Sequence, residues 1–437
     1  MAKRLRFVSM PSVPGDSASS YMYDPADSFY LRWRELNDWL LQHRSLWQPA
    51  PFMEPAPEWT RQYPGLARMV AGLSDGQCEG LNDDTERLAS LASEHLPSLK
   101  SYARLIALPV LSPSPAAVQS ATLSEVKAVD MPGRKRLQSG AFAAAVRPLS
   151  QPILDWCCGK GHLSRTLAAD CPEPVQGYEW NAELVRDGNR LAAHFGDSVS
   201  VQCRDVMAPD LALPESVHGV ALHACGDLHR QLLRRGAEAS LPRLSVSPCC
   251  YHLTGTGIYR PLSSRAAADV DTLELSRSDI RLAVRETVTA PTRVRKQARL
   301  FSQWRLGFDG LQRQLRGRDE YLPVPSHPPS LVHEGFAAFC HWAAQKKGLV
   351  LPDNIVFDHW SEFGARRWQQ VRRQELLRHL FRRPLELWIV LDYAVFLEEQ
   401  GYQVRLGEFC DRDLTPRNLL LDAVRVCGTQ PAAHSHP

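Results

Sequence analysis

The chain has 437 residues, enough for more than one domain, and its 44% hydrophobic and 23% charged composition is that of an ordinary folded protein. A formal net charge of +3 gives no global basic character that would mark a nucleic-acid binder, and 11 cysteines in so long a chain do not form the regular framework of a small secreted domain. No continuous apolar segment follows the basic start Met1-Ala2-Lys3-Arg4-Leu5-Arg6-Phe7, and the most apolar stretch, Leu385 to Leu397, contains Glu386 and Asp392; neither a secretory leader nor a membrane span is expected, and the expected compartment is a reducing cytoplasm.

In chain order, residues from about 28 to 105 read as helical. Trp33, Leu36, Trp39 and Leu40 recur at three- and four-residue spacing, and Leu88, Leu91, Leu96 and Leu99 mark a second such segment. The Pro/Ser-rich stretch Leu108-Pro109-Val110-Leu111-Ser112-Pro113-Ser114-Pro115 breaks the pattern and reads as a linker inside a helical N-terminal region, 1–130. From Met131 a new rhythm begins. Short apolar runs at Ile153 to Trp156, Val175 to Tyr178, Val199 to Cys203, Val217 to His223 and Leu244 to Ser247 alternate with helical stretches at Leu163 to Ala169, Ala182 to His194 and Leu228 to Ala239. Such alternation predicts a parallel sheet covered on both faces, and right-handed crossovers make it doubly wound. The predicted core is 131–260. Residues 261–383 read as a helical insertion rich in Arg and Trp. A helix over Leu385 to Gln400 and strands over Tyr402 to Phe409 and Asn418 to Val426 then complete the core as 384–427, and 428–437 is expected to be a disordered tail. No internal repeat is visible.

In open α/β sheets ligands bind beyond the carboxyl ends of the strands. The loop Asp155-Trp156-Cys157-Cys158-Gly159-Lys160-Gly161 stands there, with two glycines that permit a tight turn and close approach of a ligand, and a helix starting near His162. Its Asp-x-x-x-Gly-x-Gly spacing is similar to the cofactor loop of S-adenosylmethionine-dependent methyltransferases, with Cys157 where a further glycine is common. A dinucleotide fingerprint fits less well, since its third glycine falls on Ser164. Glu179, ending the second strand, is placed to accept hydrogen bonds from both ribose hydroxyls, as carboxylates of NAD proteins also do, and Asp205, after the third, is placed for an adenine amino group. The plainer alternative for each is a solvated loop carboxylate or a helix cap.

Two later motifs, His223-Ala224-Cys225-Gly226-Asp227-Leu228 and Ser247-Pro248-Cys249-Cys250-Tyr251-His252, follow the fourth and fifth strands, so strand ends one, four and five bring Cys157, Cys158, His223, Cys225, Cys249, Cys250 and His252 towards one crevice. In a catalytic reading His223, Asp227, Tyr251 and His252 are the candidates to align an acceptor and remove its proton. Pro248 and Tyr251 loosely resemble the Pro-Pro-Tyr loop of amino-group methyltransferases but follow a different strand, so that role is not transferred. Metal binding is the second reading, but the spacing matches no familiar zinc pattern and no metal ligand is assigned. The third has the cysteines as small apolar packers and the histidines satisfied by hydrogen bonds, and is the expectation for the cysteines.

Together with Met131-Pro132-Gly133-Arg134-Lys135-Arg136, with the loop and its continuation His162-Leu163-Ser164, and with Asp413-Leu414-Thr415-Pro416-Arg417-Asn418-Leu419 preceded by Leu391-Asp392, these motifs resemble the methyltransferase-like 25 family, which includes proteins labelled as containing a ribosomal RNA adenine dimethylase domain. The resemblance spans about 131 to 426 with a divergent middle. Thr415 and Tyr393 stand where relatives often have serine and arginine. The resemblance implies an α/β class I methyltransferase fold, Rossmann-like and doubly wound, with S-adenosylmethionine as cofactor, and carries a cofactor role to Asp155, Gly159, Gly161 and Glu179. With Cys157, Asp205 and His223 these make the candidate cofactor set. The vicinal cysteines also resemble a Cys-Cys-His-His stretch of a transfer-RNA ribose methyltransferase family.

For a partner, the insertion offers Arg293, Arg295, Lys296, Arg299 and Arg305, then Arg313, Arg316 and Arg318, interleaved with Phe301, Trp304 and Phe308; Arg366, Arg367, Arg372, Arg373, Arg378, Arg382 and Arg383 make a second run. Arginines on phosphates beside aromatics on bases suit RNA, transfer or ribosomal, while a solvated helix with its aromatics in the core is the alternative. A protein or small-molecule substrate, a catalytically silent binding protein and an NAD oxidoreductase are the competing readings.

Overall fold

The computed structural model describes residues 29–285, 292–328 and 330–426; the basic start and the tail 428–437 lie outside the described residues. The first helix, Phe29–Gln42, turns Trp33, Leu36, Trp39 and Leu40 inward, as its spacing requires. That stripe meets the helix Arg382–Glu399, with the rings of Trp33 and Trp388 5.6 Å apart. Asn37 secures the contact, its Oδ1 accepting from Trp388 Nε1 at 3.1 Å and from the Leu273 amide at 2.9 Å.

The strands β1 Ile153–Trp156, β2 Val175–Glu179, β3 Val199–Cys203, β4 His218–Cys225, β5 Arg243–Cys249, β6 Tyr402–Glu408 and β7 Leu419–Arg425 form one seven-stranded sheet in the order β3-β2-β1-β4-β5-β7-β6. The first five are parallel, and β7 joins β5 antiparallel and pairs with β6 in a hairpin. This is the predicted doubly wound Rossmann-like architecture. The strand order reverses between β1 and β4, so a crevice opens at their carboxyl ends. Arg243 on β5 and Asp422 on β7 tie the hairpin to the parallel sheet, with Nε to Oδ1 at 2.9 Å and Nη2 to Oδ2 at 3.0 Å. Pro109 to Leu111, inside the Pro/Ser-rich stretch, lie along β6: Glu408 N donates to Pro109 O at 3.0 Å and Leu111 N to Glu408 O at 2.8 Å.

The helices Thr292–Arg316, Leu331–Lys347 and Phe357–His379 pack around a core of their own that includes Phe301, Trp304, Phe308 and Phe339. The second arginine run joins this insertion to the N-terminal helices. Arg373 Nε donates to Leu73 O at 2.8 Å, Arg378 Nε to Trp47 O at 2.8 Å and Arg367 to Pro51 O. Arg383 is held by Glu386, Glu408 and Asn418. Most of this run is therefore internal fastening and not a basic face.

Among the described residues no helix is long and apolar enough to cross a membrane.

Candidate functional site

The loop after β1 is built from both sides. Asp155 is 1% exposed and accepts from Ser164 Oγ at 2.7 Å, holding the helix His162–Ala168 to the strand. Burial pushes its carboxyl up to about 7, against the downward pull of Ser164. The sequence reading put Asp155 on the cofactor; the structure puts it underneath, where its carboxylate positions the loop. Cys158 N donates to Tyr178 O at 3.0 Å, and Cys157, Gly159 and Gly161 all take left-handed φ, at 60°, 60° and 66°. A side chain at Gly159 would project where nothing lies within 4 Å, so the loop presents bare backbone to open space.

Glu179 closes the loop from β2. One carboxylate oxygen accepts from the Gly159 amide at 3.0 Å and the other from the Asn181 amide at 2.9 Å. Beside it Cys157, Tyr178, Glu179, Trp180, Arg204, Asp205, Val206 and Leu228 enclose a pocket of about 330 Å³. Asp205 is exposed at its edge and turns its own loop by accepting from Met207 N at 2.9 Å. Trp180 was not singled out from the sequence. It is 75% exposed, a large ring left in water at the pocket wall, and its position directly after the strand-ending carboxylate was the available signal. Carboxylates, a flat aromatic and a bare-backbone turn around one pocket fit a nucleoside with a polar tail, so the residues present suit S-adenosylmethionine.

The β4 and β5 ends carry the remaining candidates. His223 has φ 74° and lies in a stretch where the β4–β5 register shifts between Leu222 and Cys225. The buried Gln138, another residue not anticipated, donates from Nε2 to Leu414 O at 3.2 Å and so turns its Oε1 to His223 Nε2 at 3.1 Å. That arrangement puts the imidazole proton on Nε2 and leaves Nδ1 basic. Desolvation by the surrounding protein, with the Lys135 charge, lowers the His223 pKa from its ordinary 6.5. Gly226, with φ 59°, ends β4; a side chain there would reach within 1.9 Å of Leu253 O, so the turn needs glycine. Asp227 follows at the next helix start and accepts from Gly255 N at 2.7 Å. His252 is half-buried, and its Nδ1 has no partner among the described residues. Tyr251 does not join the crevice. It is 3% exposed, and its hydroxyl donates into the core, to Pro248 O and Glu386 Oε1, each at 3.2 Å. The apolar ring follows the hydrophobic core, so Tyr251, expected from the sequence among the catalytic candidates, lies in the core instead. Thus β1, β2, β3 and β4 bring Cys157, Gly159, Glu179, Asp205, His223 and Asp227 to one end of the sheet, with Asp155 below and Tyr251 behind.

The first basic run divides. Phe301, Trp304 and Phe308 are buried, so no base can stack on them. Arg305 donates to Val324 O and Pro325 O, at 3.0 and 2.9 Å, and Arg313 pairs with Asp309 at 2.8 Å. Arg293, Arg295, Lys296 and Arg299 are exposed, Arg299 lying 4.2 Å over the Trp368 ring. Arg134 and Lys135 are exposed on the helix Gly133–Ala145 that also carries Gln138, and the Lys135 charge acts on His223. A separate cavity of about 1030 Å³, whose walls include Tyr102, Arg104, Arg383 and Asp413, contains none of the candidate cofactor residues.

Residues 141–256 match the family described as a methyltransferase domain. No curated protein matches the chain. Among solved structures, a Pyrococcus abyssi tRNA (uracil-54, C5)-methyltransferase in complex with S-adenosyl-L-homocysteine is 18% identical over 26% of this chain and 29% of its own, with a TM-score of 0.22, so this chain spans under a third of that protein. A putative RNA methyltransferase from Pyrococcus horikoshii is 13% identical over 31% of this chain and 73% of its own, at 0.24. A 23S rRNA methyltransferase is 16% identical over 55% of this chain and 96% of its own, at 0.23.

Proposed function

We propose that this S-adenosylmethionine-dependent methyltransferase passes its methyl group to RNA. The enzyme class rests on the methyltransferase-domain match over 141–256 and on the class I strand order. The observation that carries the acceptor is the exposed charge: Lys135 near His223, and Arg293, Arg295, Lys296 and Arg299 on the insertion. The four ordered motifs support kinship with the methyltransferase-like 25 family, whose labels include ribosomal RNA modification.

When bound, the cofactor supplies a methyl group on a sulfonium, already a good leaving group. The chain's own work is to bind, align and take a proton. Glu179 and Asp205 offer acceptors for sugar and base, Trp180 offers a face for the adenine, and the 157–161 turn gives the amino-acid end room. His223, its Nε2 fixed by Gln138, turns Nδ1 to the acceptor as general base.

A histidine pKa lowered from 6.5 leaves the ring neutral at pH 7, and it loses its basicity only as pH falls through that depressed value. Single-turnover methyl transfer is expected to be level between pH 7 and about 8 and to fall about tenfold per unit on the acid side, a limb that His223→Gln abolishes. An acid limb that survives in His223→Gln assigns the proton elsewhere.

Incubation with tritiated S-adenosylmethionine and separated RNA and protein fractions identifies the acceptor; label in protein alone overturns the RNA reading. Reversing Arg293, Arg295 and Arg299 to glutamate is expected to weaken RNA binding by about tenfold and to flatten its salt dependence. Equal binding by the variant removes this helix from the interface.

A further inference from the structure

Cys225, Cys249 and Cys250 carry a feature that methyl transfer does not use. Their three sulfur atoms lie within 4.8 Å of one another, with Cys225 and Cys249 at 3.5 Å. All three are free thiols. From Cys225 and Cys249 alone this is unremarkable, since they are cross-strand partners on β4 and β5. Cys250 is another matter. Successive side chains of a strand point to opposite faces, so Cys249 and Cys250 should diverge. They converge because Cys250 leaves the strand with φ 47°, a left-handed conformation that a non-glycine residue adopts only at a cost. On the neighbouring strand His223, at φ 74°, and the register shift between Leu222 and Cys225 bring Cys225 opposite Cys249. Two strained backbone positions thus aim three thiols at one point.

We propose that Cys225, Cys249 and Cys250 bind a single thiophilic metal ion, zinc in the first instance, with His252 as the fourth ligand. A tetrahedral zinc with Zn–S bonds of about 2.3 Å needs its sulfurs roughly 3.8 Å apart, and these three lie within 4.8 Å of one another, the Cys225–Cys249 pair at 3.5 Å. Iron–sulfur clusters distribute their cysteines over several irons and require a wider frame. Soft sulfur donors exclude magnesium and calcium. His252, two residues after Cys250, has a buried Nδ1 with no partner among the described residues; it stands outside the close group of the three sulfurs and must swing towards them to complete a Cys₃His set. The binding step balances as a replacement: the three thiol protons leave to solvent as the dication takes three thiolates, and no electron moves. The ion fastens the ends of β4 and β5 together, and with them the turns carrying His223 and Asp227. Adjacent cysteines in a regular strand point apart and rarely share an ion, and the turn at Cys250 removes that obstacle.

The full chain, purified under reducing conditions, tests this without any methyl donor, so the outcome is independent of the methyltransferase reading. Elemental analysis is expected to find about one zinc per chain, and cobalt(II) added to stripped protein is expected to give a sulfur-to-cobalt charge-transfer band. Cys225→Ser and Cys249→Ser should each weaken binding by at least about 100-fold, and His252→Ala by less, while Cys340→Ser, buried in the insertion, leaves it intact. Circular dichroism confirms that each variant is folded. Folded, reduced wild-type protein that gives no cobalt band overturns the proposal. So does a Cys225–Cys249 disulfide in metal-free protein, or an equal loss in Cys340→Ser.

Discussion

Asp422→Ala is expected to cost about 3–5 kcal/mol of folding stability, read as a drop in the midpoint of denaturant unfolding. Asp422 is 1% exposed on β7 and pairs in bidentate fashion with Arg243 on β5, while Ser245 Oγ donates to Oδ1 at 2.7 Å and Arg405 adds a further contact. Removing the carboxylate leaves the buried Arg243 guanidinium, itself 7% exposed, without its counter-charge. The penalty is that of an uncompensated buried charge, larger than the net worth of the pair. Burial opposes the Asp422 charge, but the hydrogen bonds and charge of Arg243, with Ser245 and Arg405, prevail and hold the carboxyl at about 2 against an ordinary 3.8. Since the folded value is the lower one, the stabilisation is complete above pH 3.8 and disappears as pH falls towards 2. Wild type should therefore lose stability across that window more steeply than Asp422→Ala. Parallel losses in the two proteins would detach this pair from the hairpin's stability.

The second large effect falls on the cofactor. Glu179→Ala is expected to weaken S-adenosylmethionine binding by about 100-fold, or about 2.7 kcal/mol, in isothermal titration. One carboxylate does two jobs. It caps the Gly159 and Asn181 amides, at 3.0 and 2.9 Å, and so sets the shape of the glycine turn; it also borders the 330 Å³ pocket proposed for the ribose. Bonds to an ionised acceptor are worth more than neutral ones, and the alanine variant strands two donors. Asp205→Asn should cost less, because Asp205 is exposed and its carboxylate accepts from the Met207 amide of its own loop, not from the glycine turn. If the two variants bound equally well, the pocket would owe nothing special to Glu179.

The sheet was legible because a buried parallel strand and an amphipathic helix have different periods. Ile153 to Trp156 and Val199 to Cys203 fall where expected, and the closing hairpin follows from the alternation after Gly401. The glycine turn and Glu179 were legible as strand-end chemistry. What failed to show depends on contacts distant in sequence. Gln138 acquires its role only because Leu414, 276 residues later, turns its amide towards His223. Phe301 and Trp304 read as stacking groups between arginines, but three insertion helices need a core and take them into it. Tyr251 sits in a reactive-looking motif, yet its ring belongs to the core that joins the sheet to the helix Arg382–Glu399. The sequence brought Cys225, Cys249 and Cys250 towards one crevice, but not Cys249 and Cys250 to the same face, since that rests on a left-handed φ that a strand pattern does not announce.

One experiment bears most directly on the central claim, a crystal structure of the full chain with S-adenosyl-L-homocysteine. The ribose is expected against Glu179, the adenine between Trp180 and Asp205, and the homocysteine end over the 157–161 turn with its sulfur towards His223. A nucleoside found in the other cavity, beside Tyr102 and Arg383, would contradict it.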